Sequence, residues 1–302
     1  MSQPTTIIAS DLHLRSTRPI CRKDDYWLAQ LTKIAYLRKL MDKYKCPLFL
    51  AGDIFDRGIS SPSTEKLLIQ QFSNKEIYGI PGQHDLINHK RLSWKEGSLG
   101  VLEASFIVNV ISNKTLVLSN YNIRLHGVPY GEEIENNLPA KGYYNVLMLH
   151  TLTVNKGPLW FGDDKSISAK SLLRKYPAYD LIIVGDNHQP FVVEYKRRIL
   201  VSPGSMMRMS IDQIKAQPKI YLWYAEDNVV EEAYYPIEED VFLSETTSIK
   251  RKEDREQLEA FITNLNNEYD FSLDFEANIE KWIKENQVSN QVEVEIWKAL
   301  GA

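Results

Sequence analysis

Side chains that could hold metal ions recur along the first two thirds of the chain, each at the end of a short apolar run. They are carboxylates, imidazoles and one amide, with no cysteine among them, and such donors favour a hard or borderline divalent cation such as Mn²⁺. Seven donors exceed the needs of one ion, whereas two ions sharing a carboxylate would use them all. Two ions about 3.5–4 Å apart can clamp a phosphate and activate a water molecule. The donors are Asp11, His13, Asp53, Gln83, His150, Asp186 and His188.

Each part of this pattern is common on its own. An Asp-x-His at a strand end is more often a loop than a ligand pair, and Gly-Asp-x-x-Asp is a frequent turn. A histidine after an apolar run is usually structural, and we expect that ordinary role for His89 and His126. Because the donors recur at the ends of five successive apolar runs, a shared site is the better interpretation.

The five apolar runs are continuous rather than alternating, which is typical of strands buried on both faces. Apolar spacing of three and four predicts a helix over 24–44, and further helices are expected at 62–73 and 166–175. Alternating strands and helices indicate an α/β fold, whose sites form beyond the carboxyl ends of the strands. The runs are 6–13, 47–56, 76–85, 145–150 and 180–188.

After the third apolar run the sequence pattern changes to shorter predicted strands, hairpins and a polar C-terminal segment. Short strands are expected around 106–128, and hairpins at 191–205 and 219–237. The polar segment 246–302 has helical spacing, with apolar stripes around Leu258–Leu265 and Ile279–Ile283. We therefore expect three regions. They are a domain at 1–210 that carries the donors, a β-hairpin region at 211–245, and a helical C-terminal region at 246–302.

Charge and composition narrow the class of protein. Residues 1–210 carry 27 Lys and Arg against 19 Asp and Glu, whereas residues 211–302 carry 9 against 21. A basic body suggests an anionic partner for the first part only. No apolar stretch is long enough for a membrane span, the N-terminus does not resemble a secretory signal, and two cysteines make no disulfide framework. The expectation is a cytoplasmic protein.

Five motifs resemble those of the calcineurin-like metallophosphoesterases. Within that superfamily the chain is most similar to the SbcD-type DNA-repair nucleases. Three features carry this finer resemblance: DLHL without a following glycine, a Ser-Pro-rich helix start after GDIFDRG, and VSPGSMMR at 201–208. The resemblance covers about 5–235 and implies a sandwich of central β-sheets flanked by helices, with a small C-terminal cap and a helical tail. In these terms 1–210 would be a two-metal phosphoesterase domain, 211–245 a reduced cap, and 246–302 a region that docks a partner. The similar nucleases are bacterial, so the cell would be a bacterium, or the host of a phage that encodes the chain. The motifs are SDLHL (10–14), GDIFDRG (52–58), GQHD (82–85), LH (149–150) and GDNH (185–188).

The resemblance also implies roles for individual residues. His84 would protonate the leaving oxygen or stabilise the charged transition state, and Asp85 would orient His84 through a hydrogen bond. Candidate substrate contacts are Arg57, Lys196, Arg197 and Arg198, each of which also fits a plain surface residue. The first ion would be held by Asp11, His13, Asp53 and His188, and the second by Asp53, Gln83, His150 and Asp186.

Two positions depart from the family pattern. The family usually has Asn where this chain has Gln83, and His where it has Asp186. Both positions belong to the implied second site. One interpretation is a retuned site that binds a hard cation more strongly; the rival is a degenerate site that holds one ion and turns over poorly.

The function implied by the resemblance is that of a Mn²⁺-dependent nuclease. It would act as a 3′ to 5′ exonuclease on duplex ends and as an endonuclease on single strands or hairpins. The implied partners are DNA, an SbcC-like coiled-coil ATPase of the SMC-related class, and a second copy of the chain, with residues 90–104 as a candidate dimer interface. Two alternatives stay open: a phosphatase or phosphodiesterase on proteins or small phosphoesters, and a weakly catalytic scaffold.

Overall fold

A computed structural model describes residues 3–134, 140–157, 166–244, 279, 282–284, 286 and 288–300. The chain divides into two compact units, Met1–Pro19 with Asp24–Val241, and Ile20–Lys23 with Phe242–Ala302. The helices of the described residues are α1 (Tyr26–Tyr44), α2 (Pro62–Phe72), α3 (Ser98–Ala104), α4 (Ala169–Lys175) and α5 (Asn290–Leu300). The strands are β1 (Thr6–Ala9), β2 (Leu48–Leu50), β3 (Ile77–Gly79), β4 (Asn109–Val110), β5 (Lys114–Leu118), β6 (Ile123–Val128), β7 (Tyr144–His150), β8 (Thr153–Val154), β9 (Ile167–Ser168), β10 (Leu181–Gly185), β11 (Phe191–Tyr195), β12 (Arg198–Ser202), β13 (Lys219–Tyr224) and β14 (Val229–Tyr234).

The first unit is built on two six-stranded sheets. The first has the order β14-β13-β1-β2-β3-β4, and the second has the order β11-β12-β10-β7-β6-β5. In the first sheet β1 to β4 are parallel, and β13 joins β1 in antiparallel register. In the second sheet β6, β7, β10 and β12 are parallel. The parallel strands are connected through helices or long segments, as such strands require.

Three buried clusters show how the layers stack. On β1, Ile7 and Ile8 point to opposite faces: Ile7 packs in the cluster beneath α1 and α2, whereas Ile8 packs between the sheets. Apolar side chains of the second sheet, such as Met148, meet Ile8 there. Leu147, next to Met148, faces outward and packs with Leu172 of α4. The expected sandwich of central sheets flanked by helices is confirmed.

The helices begin and end where local chemistry predicts. Asp25 caps α1 because its carboxylate accepts a hydrogen bond from the Leu28 N–H at 2.9 Å. Lys45, in a left-handed conformation, ends the helix. Pro62 occupies the first position of α2, where a missing N–H has no cost. The predicted helices at 24–44, 62–73 and 166–175 therefore correspond to α1, α2 and α4.

The hairpins expected at 191–205 and 219–237 are present as β11–β12 and β13–β14. The second hairpin extends the first sheet through β13, so these residues of the expected cap region belong to the sandwich. The boundaries expected near 210 and 245 stay a prediction. No helix in the described ranges has the length and apolar content that crossing a membrane requires.

In the second unit, apolar side chains pack on one another. Ile279, Ile283 and Ile296 are buried in one cluster, with Trp282 and Trp297 packed against it. The stripe around Ile279–Ile283 therefore packs within its own unit, and the docking of a partner by this region stays a prediction. The stripe around Leu258–Leu265 lies outside the described residues.

Candidate metal centre

Four predicted donors converge where β1, β2 and β10 end. The Nε2 atoms of His13 and His188 lie 3.1 Å apart. The Nε2 atom of His13 is 3.9 Å from Oδ1 of Asp11 and 3.7 Å from Oδ2 of Asp53, and the Nε2 atom of His188 is 4.0 Å from the same Asp11 oxygen. Atoms bound at about 2.1 Å to one ion lie roughly 3.0–4.2 Å from each other. The spacing is that of a ligand shell.

A second pair of donors adjoins the first group. His150, the last residue of β7, places its Nε2 atom 3.3 Å from Oδ2 of Asp53. The Nδ1 atom of His150 lies 2.7 Å from the carbonyl oxygen of Ala51. Because a carbonyl can only accept, Nδ1 carries the proton, and the lone pair of the neutral ring then lies on Nε2. Asp53 therefore faces donor atoms on both sides, as a bridging ligand must.

The remaining two predicted donors contact each other. The side-chain amide nitrogen of Gln83 donates to Oδ1 of Asp186 at 3.0 Å. Both His150 and Asp53 act electrostatically on the Asp186 carboxylate. The two positions that depart from the family pattern thus form one hydrogen-bonded pair beside Asp53 and His150.

Glycines make room for this convergence. Gly52 has a φ of +95°, and a Cβ atom there would come 2.2 Å from Nδ1 of His150. A Cβ on Gly82 would come 2.2 Å from Oδ1 of Asp53. Real Cβ atoms do not approach so closely, so both motifs need glycine immediately before the donor loop.

Four donors have left-handed backbones. The φ angles are 50° at Asp11, 44° at His13, 51° at Asp53 and 84° at Asp186. Residues other than glycine rarely adopt this region, and such strain is concentrated at functional sites. The backbone conformation therefore singles out the same residues as the donor chemistry.

Burial dominates the electrostatics of the site. It raises the pKa of Asp11 to about 7 and lowers the pKa of His13 to about 3. Burial also acts downward on His150, but electrostatic attraction to the Asp53 carboxylate outweighs it and raises the pKa of His150 to about 10. The pKa of Asp186 is raised, again chiefly by burial. A divalent cation among these groups would instead favour ionised carboxylates and neutral imidazoles.

The residues present fit a bound cation. Among the described side chains, Oδ2 of Asp11, Oδ2 of Asp53 and Nε2 of His150 are buried without a hydrogen-bond partner. Buried polar atoms are normally satisfied, and these three are acceptors when the His150 proton sits on Nδ1. Groups of three donors within 4.8 Å of one another are Asp11–His13–His188, His13–Asp53–His84 and Asp11–Asp53–His150.

His84 stands next to this cluster, but its support differs from the expectation. The Nδ1 atom of His84 lies 3.0 Å from the main-chain carbonyl oxygen of Asp56 and donates a hydrogen bond to it. The Nε2 atom is then the ring nitrogen that can act on a substrate. The His84 ring is 4.8 Å from the His13 ring. The expected hydrogen bond between the His84 ring and the Asp85 carboxylate is wrong, because the oxygens of Asp85 accept backbone N–H groups instead.

Asp85 is a structural clamp between two donor loops. Its carboxylate accepts from the N–H groups of Ile54 at 3.3 Å, Phe55 at 3.0 Å and Gly82 at 2.9 Å. The side chain is fully buried, and burial is the largest cause that raises its pKa to about 7. By joining the loop after β2 to the loop after β3, Asp85 positions His84 indirectly.

The expected substrate contacts are not together. Arg57 is exposed and lines an open cleft of about 440 Å³ with Gln83 and His84. Lys196 and Arg197 lie in the β11–β12 turn, at the edge of the second sheet where β10 begins. Asp186 and His188 follow the other end of β10. The three basic residues 196–198 therefore lie at the end of the second sheet away from the metal centre, and their contact with a substrate stays a prediction.

Sequence reasoning missed three residues near the site. Asp56 supplies the carbonyl that holds His84, and its carboxylate pairs with Arg15 at 3.3 Å. Tyr130 places its ring 6.2 Å from the His150 ring, and its N–H donates to the Pro81 carbonyl. Asp56 lies inside the GDIFDRG motif and Arg15 directly follows SDLHL, so their positions in the sequence could have indicated a role near the site. Tyr130 had none, because it comes from a segment with no motif.

A sandwich with a cluster of carboxylates and imidazoles at the ends of strands from both sheets defines a metal-dependent hydrolase of phosphoesters. The chain belongs to the calcineurin-like phosphoesterases, whose family model matches residues 4–190. It is therefore a metallophosphoesterase that uses divalent metal ions. No curated protein sequence matches the chain significantly.

Solved structures are similar to the chain at low sequence identity. The protein TT1561 of Thermus thermophilus is 11% identical with a TM-score of 0.48, over 78% of this chain and 100% of that one. A structure described as a novel archaeal phosphodiesterase is 14% identical with a TM-score of 0.41, over 76% and 98%. A putative 5′-nucleotidase from Staphylococcus aureus is 11% identical with a TM-score of 0.45, over 82% and 57%. Likeness at this level says nothing about the substrate.

Proposed function

We propose that the protein is a Mn²⁺-dependent nuclease of the SbcD type that hydrolyses phosphodiester bonds of DNA. It would release nucleotides from duplex ends in the 3′ to 5′ direction and cut single strands or hairpins. The observation that carries the proposal is His84, held beside the donor cluster with its Nδ1 atom on the Asp56 carbonyl. A positioned acid is what a diester with a poor leaving group requires.

The motif series supports the choice of DNA. DLHL without a following glycine and VSPGSMMR at 201–208 are the features that resemble the DNA-repair nucleases. In the first 210 residues Lys and Arg exceed Asp and Glu, 27 against 19. A polyanion is a natural partner for such a body.

The chain's own residues would divide the chemistry among themselves. A water molecule that has lost one proton to solvent attacks phosphorus while the bond to the leaving oxygen breaks, and Nε2 of protonated His84 would give that oxygen its proton. Arg57, exposed in the same cleft, could bind a non-bridging phosphate oxygen. Asp85 keeps the loops of Asp53 and His84 in register by accepting three backbone N–H groups.

Two divalent ions would neutralise the phosphate and lower the pKa of the attacking water. The first would be held by Asp11, His13, Asp53 and His188. The second would have Asp53 and His150 as ligands, with Gln83 and Asp186 contributing through their shared hydrogen bond.

The proposed assembly includes an SbcC-like coiled-coil ATPase and a second copy of the chain. The helical C-terminal region would dock the ATPase through surfaces other than the buried Ile279–Ile283 stripe. Residues 90–104 would contribute to the dimer. A phosphodiesterase acting on small phosphoesters is the rival function, because the open cleft beside His84 would admit a small diester equally well.

The test is hydrolysis of end-labelled duplex DNA by the purified chain with Mn²⁺, with Mg²⁺, or with EDTA. Mononucleotide release that requires the metal supports the nuclease. Intact DNA together with hydrolysis of a small aryl phosphodiester would establish the rival function. If the metal-loaded chain hydrolyses neither substrate, even with its ATPase partner and ATP, the scaffold alternative replaces both.

A further inference from the structure

A group of cations surrounds one tyrosine on the outer face of the second sheet. Tyr195 ends β11, and its ring packs against the buried cluster beneath α4. The ring centroid lies 5.9 Å from Lys170, 5.4 Å from Arg174, 5.5 Å from Lys196 and 5.6 Å from Arg198. We call these five residues the Tyr195 patch. Their elements, α4 and the β11–β12 hairpin, stand on either side of β10 in the chain, and the packing of α4 on the sheet brings the charges together.

The positive charge of the patch is not neutralised by the described residues. Lys170, Arg174 and Lys196 are exposed, and none of the patch cations forms an ion pair with a described carboxylate. A hydrogen bond from Arg174 and the charge of Lys196 lower the pKa of Tyr195. Arg198 donates to the carbonyl of Tyr176 at 3.3 Å, which fixes one cation at the end of α4. Like charges held this close favour an anion as their partner.

The turn that carries Lys196 is strained and firmly held. Lys196 and Arg197 have φ angles of 52° and 59°, a conformation that two-residue hairpin turns usually give to Asn or Gly. The side-chain amide of Asn228 donates to the Arg197 carbonyl at 2.8 Å and accepts from the buried Trp223 indole at 2.9 Å. Strain retained and braced at a surface turn that presents two cations indicates a function for those cations.

The patch lies at the end of the second sheet opposite the metal centre. Ile199 of β12 pairs with Leu181 at the start of β10, whereas Asp186 follows the end of that strand. At about 3.3 Å per residue, the turn and Asp186 are on the order of 20 Å apart. One phosphate cannot contact both places. The patch therefore has a ligand of its own or a different part of a long one.

We propose that the Tyr195 patch is a second, non-catalytic binding site for the phosphate backbone of a nucleic acid. Arginine forks and lysine ammonium groups are the usual donors to phosphate oxygens, which position a nucleic acid without reading its sequence. A separation on the order of 20 Å corresponds to about six base pairs at 3.4 Å each. A long duplex therefore reaches the patch and a very short one does not. The choice of a nucleic acid as the ligand rests on the proposed nuclease function. The surplus of positive charge in the patch is observed independently of that function.

The test measures binding of fluorescent duplex DNA of about 30 base pairs, in EDTA and over a range of salt concentrations, by anisotropy. The variant is Lys170→Gln/Arg174→Gln/Lys196→Gln in the full chain. Each lost phosphate contact lowers the slope of log K against log salt by about 0.9. We expect the variant to lose about 2 to 3 units of slope and about tenfold in affinity at low salt.

A matched control removes three exposed lysines elsewhere in the described chain, Lys39→Gln/Lys66→Gln/Lys215→Gln. An equal loss of slope in this control would overturn the proposal, because it would show general attraction only. Unchanged DNA binding by the patch variant would also overturn the proposal. If that variant keeps its DNA binding but loses binding to anionic phospholipid vesicles, the patch binds a membrane surface instead. If the triple variant unfolds, Lys196→Gln alone must still lower the slope by about 0.9.

Cleavage is read separately. In one result, the unsubstituted protein binds the long duplex with a steeper salt dependence than the patch variant and yet cleaves no DNA with Mn²⁺. That result would refute the proposed nuclease and would still support the patch. In the opposite result, the unsubstituted chain cleaves DNA, and the patch variant binds and cleaves DNA equally well. That result would support the nuclease and refute the patch.

Discussion

Gln83 donates its side-chain amide hydrogen to Oδ1 of Asp186 across a distance of 3.0 Å. The residues are more than a hundred positions apart in sequence and come from different sheets of the sandwich, after β3 and after β10. The family usually has Asn and His at these places. The longer amide and the shorter acidic side chain therefore belong together, since each supplies what the other needs.

The pair predicts coupled effects on metal binding. Gln83→Asn withdraws the amide by one methylene and breaks the hydrogen bond, and Asp186→His alone removes its acceptor. We expect each single variant to bind Mn²⁺ more weakly than the double variant, with a coupling energy of about 0.5–3 kcal/mol. Calorimetric titration of the four proteins measures it. Gln70→Asn, an exposed change on α2, is the control, and additive effects of the two changes would refute the pairing.

The leaving group should reveal the role of His84. His84→Ala removes the proton donor, and we expect DNA hydrolysis to fall about 10²–10⁴-fold. A nitrophenolate leaves without protonation, so hydrolysis of bis(p-nitrophenyl) phosphate should fall by less than about tenfold. Steady-state rates on both substrates at saturating Mn²⁺ make the comparison. Equal losses on the two substrates would instead assign His84 to metal or phosphate binding.

Asp85 should act on stability. In Asp85→Asn one acceptor oxygen becomes an amide donor that faces backbone N–H groups of Ile54, Phe55 or Gly82. We expect a loss of about 2–3 kcal/mol in the free energy of unfolding, since a buried donor is left unsatisfied. Urea unfolding measures it. Asp25→Asn, at the exposed cap of α1, is the matched change and should cost under about 0.5 kcal/mol.

Removing metal should destabilise the first unit. Buried carboxylates at Asp11 and Asp53 with unpartnered oxygens favour a state in which a cation is present. We expect Mn²⁺ at about 100 times its dissociation constant to stabilise the fold by about 2.7 kcal/mol. Calorimetric melting with Mn²⁺ and with EDTA tests this. His13→Ala should reduce the gain, and a melting temperature indifferent to the ion would argue against a site in the folded chain.

Much of the site could be predicted from the sequence because each metal donor lies close in sequence to the strand that positions it. A short apolar run that ends in Asp11 and His13, or in Asp53, predicts both a strand and a donor loop beyond it. The sandwich was reached through the resemblance, since apolar runs alone do not say that β1 and β7 lie in different sheets. Apolar spacing predicted the helices, whose termini match capping residues such as Asp25.

Residues that are close in sequence need not lie close together in the site. Asp85 follows His84 directly, and adjacency suggested a hydrogen bond, yet backbone N–H groups of two loops compete for the same carboxylate and win. Lys196 and Arg197 come only a few residues after the last donor motif, but β11 carries the chain back along the sheet to its other end. Sequence distance does not reveal that reversal of direction.

The donors enter the site in the order of the chain, from Asp11 to His188, and draw on both sheets. The last imidazole, His188, follows β10, so the ribosome must release the chain through that strand before the donor set can be complete. A nascent chain that ends before Asp186 holds only part of the donor set. The full centre therefore cannot form until strands of both sheets have been made.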